Sequence, residues 1–259
     1  MELGEYAARI GYTGDFAPTV ETLHALHLAH ATHIPFENLD VLLRRPIRLD
    51  PESLWAKLVT GGRGGYCFEQ NGLFAAVLEK VGYRVTRLAA RVRMGAVGIR
   101  PRTHMLLLVE AGSEKWLADV GFGADGLLLP IAMRPGEEAA QFSWKYRLVV
   151  EDAFSVLQSW WPDGWVDLYS FGLEEQYPVD YEVANHFTST YPTSPFLRML
   201  RVQRPGPESR MMLVNRTLIE RTATGSTETA AGDDPALLQV LATRFGLLFA
   251  PGTKFPFEE

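Results

Sequence analysis

The 259 residues are 47% apolar and 22% charged, the profile of a soluble globular protein with room for two or three packed units. The net charge of −6 argues against a nucleic-acid binder, which needs a basic face, and leaves room only for a local basic patch toward a phosphorylated ligand. One cysteine excludes an internal disulfide, no apolar run could span a bilayer, and residues 1–6 lack a signal-peptide pattern, so a cytoplasmic protein with no membrane partner is expected.

Residues 2–9 suit a short helix, broken at Gly11-Tyr12-Thr13-Gly14-Asp15. Thr19 is the expected N-cap of a helix from 20 to about 31, with Val20, Leu23, Leu26 and Leu28 as its apolar positions. His24, His27, His30 and His33 recur at every third residue. Two imidazoles on one turn can bind metal, but no Cys or acidic residue stands at a metal-site spacing. A solvated or hydrogen-bonded helix face is expected, and no metal is assigned.

Pro35-Phe36-Glu37-Asn38 ends that helix in a turn. Asp50-Pro51 opens the next, with Asp as N-cap and Pro at the first helical position. Leu54, Trp55 and Leu58 keep helical spacing, and Gly61 is the expected C-terminal cap. A helix starting at Cys67 follows, with Leu73, Phe74, Val77, Leu78 and Val81 on its buried stripe and Gly82 as its stop. Residues 1–82 therefore read as a helical bundle.

At Tyr83 the period changes to alternation. Strands are expected over 84–93, 103–110, 115–120, 127–131, 142–150, 155–160 and 165–171. Ala111-Gly112-Ser113-Glu114 and Asp163-Gly164 are hairpin turns. Strands this short and regular suggest a small antiparallel barrel or sandwich over 83–185. Residues 186–200 read as a polar linker, beginning at Asn185-His186. Residues 201–259 read as a smaller α/β unit, with strands over 212–215, 217–222 and 226–230. Its last helix starts at Asp234-Pro235 and carries Leu237, Leu238, Val240, Leu241 and Phe245.

The chemistry centres on Gly61-Gly62-Arg63-Gly64-Gly65-Tyr66-Cys67. A glycine-rich approach delivers the only cysteine to the first turn of a helix. Unpaired N–H groups and the positive end of the helix dipole favour thiolate there. A base and a group that orients it would make this thiol a nucleophile. His104 and Asp119 lie on the two arms of one hairpin. An even-length loop centred on Gly112-Ser113 puts Asp119 opposite Leu106, diagonal to His104 on one face at roughly 7–8 Å between backbones. An odd-length loop without a bulge would separate the two. With the first register, His104 takes the thiol proton, Asp119 fixes the imidazole, and the helix-start N–H groups stabilise an oxyanion. The competing use of Cys67 is as a small buried hydrophobe. A phosphate-binding loop is disfavoured, because Gly61–Gly65 lacks the Gly-Lys-Ser/Thr ending.

Five segments resemble the arylamine N-acetyltransferase family. Arg63-Gly64-Gly65-Tyr66-Cys67-Phe68-Glu69-Gln70-Asn71 resembles its active-site signature, and His33-Ile34-Pro35-Phe36-Glu37-Asn38-Leu39 its early loop. Thr103-His104-Met105 and Asp119-Val120-Gly121-Phe122-Gly123 resemble the segments with its catalytic histidine and aspartate. Thr188-Ser189-Thr190-Tyr191-Pro192-Thr193-Ser194 resembles its inter-domain segment. Tyr191 and Pro195 depart from that last pattern, where relatives commonly carry His and a small polar residue. The chain length resembles the bacterial members.

The resemblance implies an α+β fold: an N-terminal helical bundle, a central antiparallel β-barrel and a C-terminal α/β lid. It implies ping-pong acetyl transfer through Cys67, assisted by His104 and Asp119. Acetyl-CoA is the co-substrate, with no tightly bound cofactor. The acceptor is a small aromatic amine, hydrazine or N-hydroxyarylamine, and a monomer or homodimer is expected. Phe36, Phe122 and Phe187 would line the acceptor pocket. Thr103, Gly123, Thr193 and Ser194 would lie near coenzyme A. The alternatives are a macrolactam-forming amide synthase of the same fold, a papain-like cysteine hydrolase, and a binding module in which Cys67 is inert.

Overall fold

A computed structural model describes residues 1–123 and 125–258. Helix α1 (Leu3–Ile10) is followed by α2 (Val20–His33), whose N-cap Thr19 accepts the Thr22 N–H at 3.2 Å. A two-residue strand, β1 (Phe36–Glu37), and a single turn, α3 (Leu39–Leu42), occupy the expected turn. Helix α4 (Pro51–Trp55) starts as expected, with Asp50 accepting the Ser53 N–H at 2.9 Å. It then widens into a π-helical turn over Ala56–Thr60. Gly61 is its C-cap, as expected. The Gly61 N–H bonds Ala56 O, five residues back, at 2.8 Å with φ −78°, and Gly62 takes the left-handed φ of +64°. Arg9 donates to the carbonyls of Leu58, Gly62 and Arg63, satisfying groups that the widened turn leaves open. Helix α5 (Cys67–Val81) runs to Gly82, as the sequence predicts.

Eight antiparallel strands then form a nearly closed barrel. They are β2 (Arg84–Val92), β3 (Arg102–Ala111), β4 (Glu114–Ala118), β5 (Ile131–Ala132), β6 (Glu138–Gln141), β7 (Trp144–Glu151), β8 (Phe154–Trp161) and β9 (Gly164–Phe171). Their order is β5-β4-β3-β2-β9-β8-β7-β6. Most of the expected 127–131 strand is loop. Leu127 and Leu128 are buried in the barrel core, but Gln141 Oε1 accepts the N–H groups of Leu128 and Leu129, both at 2.9 Å. A side chain thus does what a neighbouring strand was expected to do.

The polar stretch expected as linker is helical over its first part: α6 (Pro178–Thr190) runs through it. The hydroxyls of Thr188, Ser189 and Thr190 each bond the carbonyl four residues back, at 2.8, 2.8 and 2.6 Å. Hydroxyls bound in this way sit inside a helix, which composition alone does not reveal. A second sheet follows, with β10 (Arg201–Pro205), β11 (Ser209–Val214), β12 (Thr217–Thr222) and β13 (Gly225–Ala230), and α7 (Asp234–Phe245) packs near it. Its order is β1-β10-β11-β12-β13, so the early segment Phe36–Glu37 pairs with residues 202 and 203 of the C-terminal unit. The fold class is α+β, with helices, barrel and α/β unit in the expected chain order.

Strand β3 divides two apolar cores. Its odd-numbered Met105, Leu107 and Val109 join the helical core with Cys67 and Phe74. Its even-numbered Leu106 and Leu108 join the barrel core. The period of two therefore makes β3 a wall with α5 on one side and the barrel on the other. Among the described residues no helix is long and apolar enough to cross a membrane.

Candidate active site

The hairpin register decides whether His104 and Asp119 meet. Leu107 pairs with Ala118 and Leu108 with Leu117, which is the even-loop parity. Asp119 follows the end of β4, and its Oδ2 lies 2.7 Å from His104 Nε2. Both side chains are buried. Burial pulls the His104 pKa down, but the Asp119 charge and hydrogen bond, and then Cys67, more than offset it. The result is a pKa raised to about 10. Burial raises the Asp119 pKa, and the opposing His104 charge with the hydrogen bonds below brings it under the ordinary carboxylate value. The pair is thus an imidazolium–carboxylate pair at neutral pH.

Two residues that sequence reasoning did not assign to the site hold Asp119 in place. Asn71 Nδ2 donates to Asp119 Oδ1 at 2.9 Å and to Met105 O at 2.7 Å, and Asn71 Oδ1 accepts the Val120 N–H at 3.0 Å. Asn71 is four residues after Cys67, one helical turn along the same face, and that spacing was the available signal. His27 Nδ1 lies 3.0 Å from Leu128 O, and His27 Nε2 accepts the Asp119 N–H at 3.1 Å. This pattern fixes neutral imidazole with the proton on Nδ1. Burial dominates its pKa, which falls to about 4. His30 is likewise neutral, between Tyr6 OH at 2.7 Å and Gln70 Oε1 at 2.7 Å, with burial first among the causes that lower it to about 3. Half of the histidine run is therefore internal hydrogen-bonding framework.

Cys67 is the first residue of α5 and is 5% exposed. Its thiol donates to Thr103 O at 3.6 Å. The glycine approach lies against β1: the Gly65 N–H bonds Pro35 O at 3.3 Å, and the Glu37 N–H bonds Gly65 O at 3.1 Å. A Cβ on Gly64 would stand 2.0 Å from Pro35 O, so only glycine passes there. Beneath it, Lys57 Nζ contacts Glu69 Oε1 at 2.6 Å and Asp40 Oδ2 at 2.8 Å, while Arg63 grips Glu37 Oε1 at 2.6 and 3.0 Å. Glu69 Oε2 accepts the Tyr66 N–H at 3.0 Å, so this charge cluster ends one residue before the thiol. Burial, opposed by Lys57, leaves Glu69 raised to about 7. Lys57→Met leaves the buried Glu69 carboxylate without its cation, while Asp40 keeps Arg45 and Arg63, and is expected to cost about 3–5 kcal/mol, read as a shift of the urea midpoint.

Gly121 meets α5 from the other side. A Cβ there would lie 2.8 Å from Cys67 Cα and 2.7 Å from Asn71 Nδ2. Gly121→Ala is expected to push the nucleophile off its line and lower turnover by roughly a hundredfold, measured as kcat with stability followed alongside.

The remaining expected site residues divide between two spaces. Phe36, Phe122 and Gly123 line a tight void of about 10 Å³ beside Asp119. Phe122 also packs edge-on to the His104 ring at 5.1 Å, and Phe36 lies 6.2 Å from Phe196. Thr103, Phe187, Thr193 and Ser194 line a cleft of about 410 Å³ with Phe196 and Arg201. The Ser194 hydroxyl is used locally, donating to Thr188 O at 2.5 Å. Phe187 is 37% exposed and stacks on Tyr191 at 4.6 Å. Gly123 thus stands with Phe36 and Phe122 rather than with Thr103, Thr193 and Ser194, and Phe187 stands with those three rather than with the other two phenylalanines.

A thiol at a helix start, with a buried imidazolium–carboxylate pair beside it and an open cleft, suits covalent acyl transfer. A family model described as N-acetyltransferase matches residues 19–252. An arylamine N-acetyltransferase of Escherichia coli is 44% identical over 215 residues, which is 82% of this chain and 76% of the relative. The chain belongs to the arylamine N-acetyltransferase family. An arylamine N-acetyltransferase / N-hydroxyarylamine O-acetyltransferase of Salmonella typhimurium is 39% identical over 233 residues, covering 89% of this chain and 83% of that one. The Mycobacterium marinum arylamine N-acetyltransferase in complex with CoA superposes with a TM-score of 0.91 at 37% identity. It covers 95% of this chain and 92% of its own. In family terms, the chain is an acyltransferase whose helical, barrel and α/β units are those of known members.

Proposed function

We propose that this chain moves an acetyl group from acetyl-CoA to an arylamine, arylhydrazine or N-hydroxyarylamine through acetyl-Cys67. The observation that carries the reading is the His104–Asp119 pair, at 2.7 Å, buried beside the α5 start. With Nε2 engaged by Asp119, His104 has Nδ1 left for the thiol proton. The Cys67 thiolate attacks the thioester carbonyl, and a new carbon–sulfur bond forms. Collapse breaks the old one, and coenzyme A thiolate takes the proton back from His104. The amine then attacks acetyl-Cys67, gives a proton to His104, and Cys67 leaves as thiolate.

Cys67 and Phe68 open α5 and have no helical carbonyl four residues back, so their N–H groups are available to the oxyanion. Acetyl-CoA acts as a co-substrate, in keeping with the CoA complex of the Mycobacterium marinum relative. The open cleft at Thr103, Thr193 and Ser194 suits its chain and, with Phe187 in its wall, an aromatic acceptor, while Phe36 and Phe122 pack tightly beside Asp119. A thiolate nucleophile belongs in a reducing compartment, so a cytoplasmic location accompanies this reading.

The test is intact-mass spectrometry after mixing with acetyl-CoA. One acetyl group on Cys67 is expected, stable in buffer and discharged when an arylamine is added. Discharge by water at the same rate without amine would make the protein a hydrolase. An adduct formed only from longer acyl thioesters would favour an amide synthase.

A further inference from the structure

Among the described residues no acidic group answers the charge of Arg201. Its backbone N–H donates to Asn38 Oδ1 at 2.8 Å, which fixes the residue in β10. Its side chain lines the cleft of about 410 Å³ together with Thr103, Phe187, Phe196 and Arg100. Its Nε is buried without a hydrogen-bond partner among the described residues. Its Nη2 makes a weak contact to Met199 Sδ at 3.8 Å. Burial lowers its pKa, and no acidic neighbour raises it again, yet a guanidinium stays charged at neutral pH.

Among the described residues no Asp or Glu lines this cleft, although the chain carries 31 acidic residues and a net charge of −6. A half-buried cation without a counter-ion costs folding free energy. Arg63, of similar burial, shows the usual remedy, since Glu37 and Asp40 both face it. The cleft walls beside Arg201 are apolar: Val92, Met94, Phe187 and Phe196. Thr103 links this space to the nucleophile through its carbonyl contact with the thiol. A cleft with apolar walls, a few hydroxyls, one half-buried guanidinium and one exposed one fits a small planar group that carries a carboxylate, which a guanidinium fork binds by two parallel hydrogen bonds.

We propose that Arg201, with Arg100 at the same cleft, forms a carboxylate subsite that selects negatively charged substrates. The carboxylate sits either on the acyl group delivered to Cys67 or on the aromatic amine that accepts it. The proposal rests on acyl transfer through Cys67, and it adds a preference that this transfer alone does not require.

The experiment compares wild type with Arg201→Met, Arg201→Lys and Arg100→Ala. Single-turnover acylation of Cys67 is followed by intact mass with malonyl-CoA and with acetyl-CoA. Discharge of acetyl-Cys67 is followed with 4-aminobenzoate and with its methyl ester. Each pair is read as a ratio, charged over neutral, so that a general loss of activity cancels. One of the two ratios is expected to fall roughly tenfold to a hundredfold in Arg201→Met, the loss of one charged hydrogen-bonded contact. Arg201→Lys is expected to restore part of that ratio, and Arg100→Ala to lower it less. The ratio that falls identifies the carboxylate's source.

A thermal-shift arm needs no chemistry: 4-aminobenzoate and malonate should each be tested against their methyl esters for stabilising the wild type and Arg201→Met. One of the acids is expected to stabilise the wild type more than its ester, and the difference is expected to vanish in Arg201→Met. If Cys67 took up no acyl group at all, the acetyl-transfer reading would fall while this arm still decided the subsite. The ligand-free Arg201→Met protein is expected to be at least as stable as wild type. Unchanged ratios overturn the proposal. So does an equal loss with both thioesters while the amine ratio is unchanged, which would assign Arg201 to coenzyme A phosphates. A clear fall in the ligand-free Tm would make Arg201 a structural residue and overturn it too.

Discussion

Asp119→Asn is expected to lower the rate of Cys67 acetylation by about 10³–10⁴-fold, the scale of losing the carboxylate from a nucleophile–histidine–aspartate triad. Asp119 does two jobs that an amide cannot. Its Oδ2 holds His104 Nε2 at 2.7 Å, which leaves Nδ1 for the thiol. After the burial that opposes it, its charge is the main reason the imidazolium persists up to about pH 10. The sign with pH follows. In the wild type the imidazolium is lost as pH rises through that raised pKa, and with it the acid that protonates the leaving coenzyme A thiolate. In Asp119→Asn the alkaline limb of single-turnover acetylation is expected to move toward the ordinary imidazole range. Asn71 and the Gly121 N–H still have an oxygen at the old Oδ1 position to bond, so the fold should survive. A variant with an unshifted alkaline limb and a rate near wild type would remove Asp119 from the mechanism.

Stability is expected to fall steeply between about pH 6.5 and 4, and the cause lies away from the thiol. His27 and His30 are held neutral, with pKa values lowered to about 4 and about 3. Unfolded, each would bind a proton near pH 6.5. A basic group with a depressed folded pKa contributes fully above its unfolded pKa and loses that contribution as pH falls toward the folded value. Each imidazole therefore accounts for roughly 3 kcal/mol or more of acid sensitivity. Glu69 works in the opposite sense. Its folded pKa of about 7 lies above the ordinary value, so it favours the folded state most at low pH and offsets about one of the two protons down to pH 4.5. His104 adds a mirror-image loss on the alkaline side, between about pH 6.5 and 10. Urea titrations across pH should place the maximum near pH 6.5, with a slope of about one proton just below it and about two below pH 4.5. A flat profile from pH 7 to 4 would mean that His27 and His30 are protonated in the folded protein.

The histidine run shows where sequence reasoning stops. Spacing marks four imidazoles on one helix and leaves a solvated face and a hydrogen-bonded one as equally acceptable uses. Burial selects the hydrogen-bonded use for His27 and His30, whose partners lie on α5 and in the loops at 119 and 128. The expected linker failed for a related reason, because its hydroxyls are bound inside α6. The 127–131 segment failed because the side chain of Gln141 meets the N–H groups that strand pairing would have met.

What the sequence determined by itself was local. Thr19 and Asp50 cap helices, Gly82 stops one, and Cys67 opens one, because caps and stops depend on a few neighbouring residues. The parity that brings His104 and Asp119 together is set by one short turn too, but the sequence left even and odd loops open and the observed register decided between them. Only the tertiary structure decided the rest. It paired residues 36–37 with 202–203, set Asn71 and His27 around Asp119, and left Arg201 in a cleft with no carboxylate among the described residues. Those outcomes depend on which distant segments share a buried space. Periodicity reports that a residue is buried, and only packing supplies its partner.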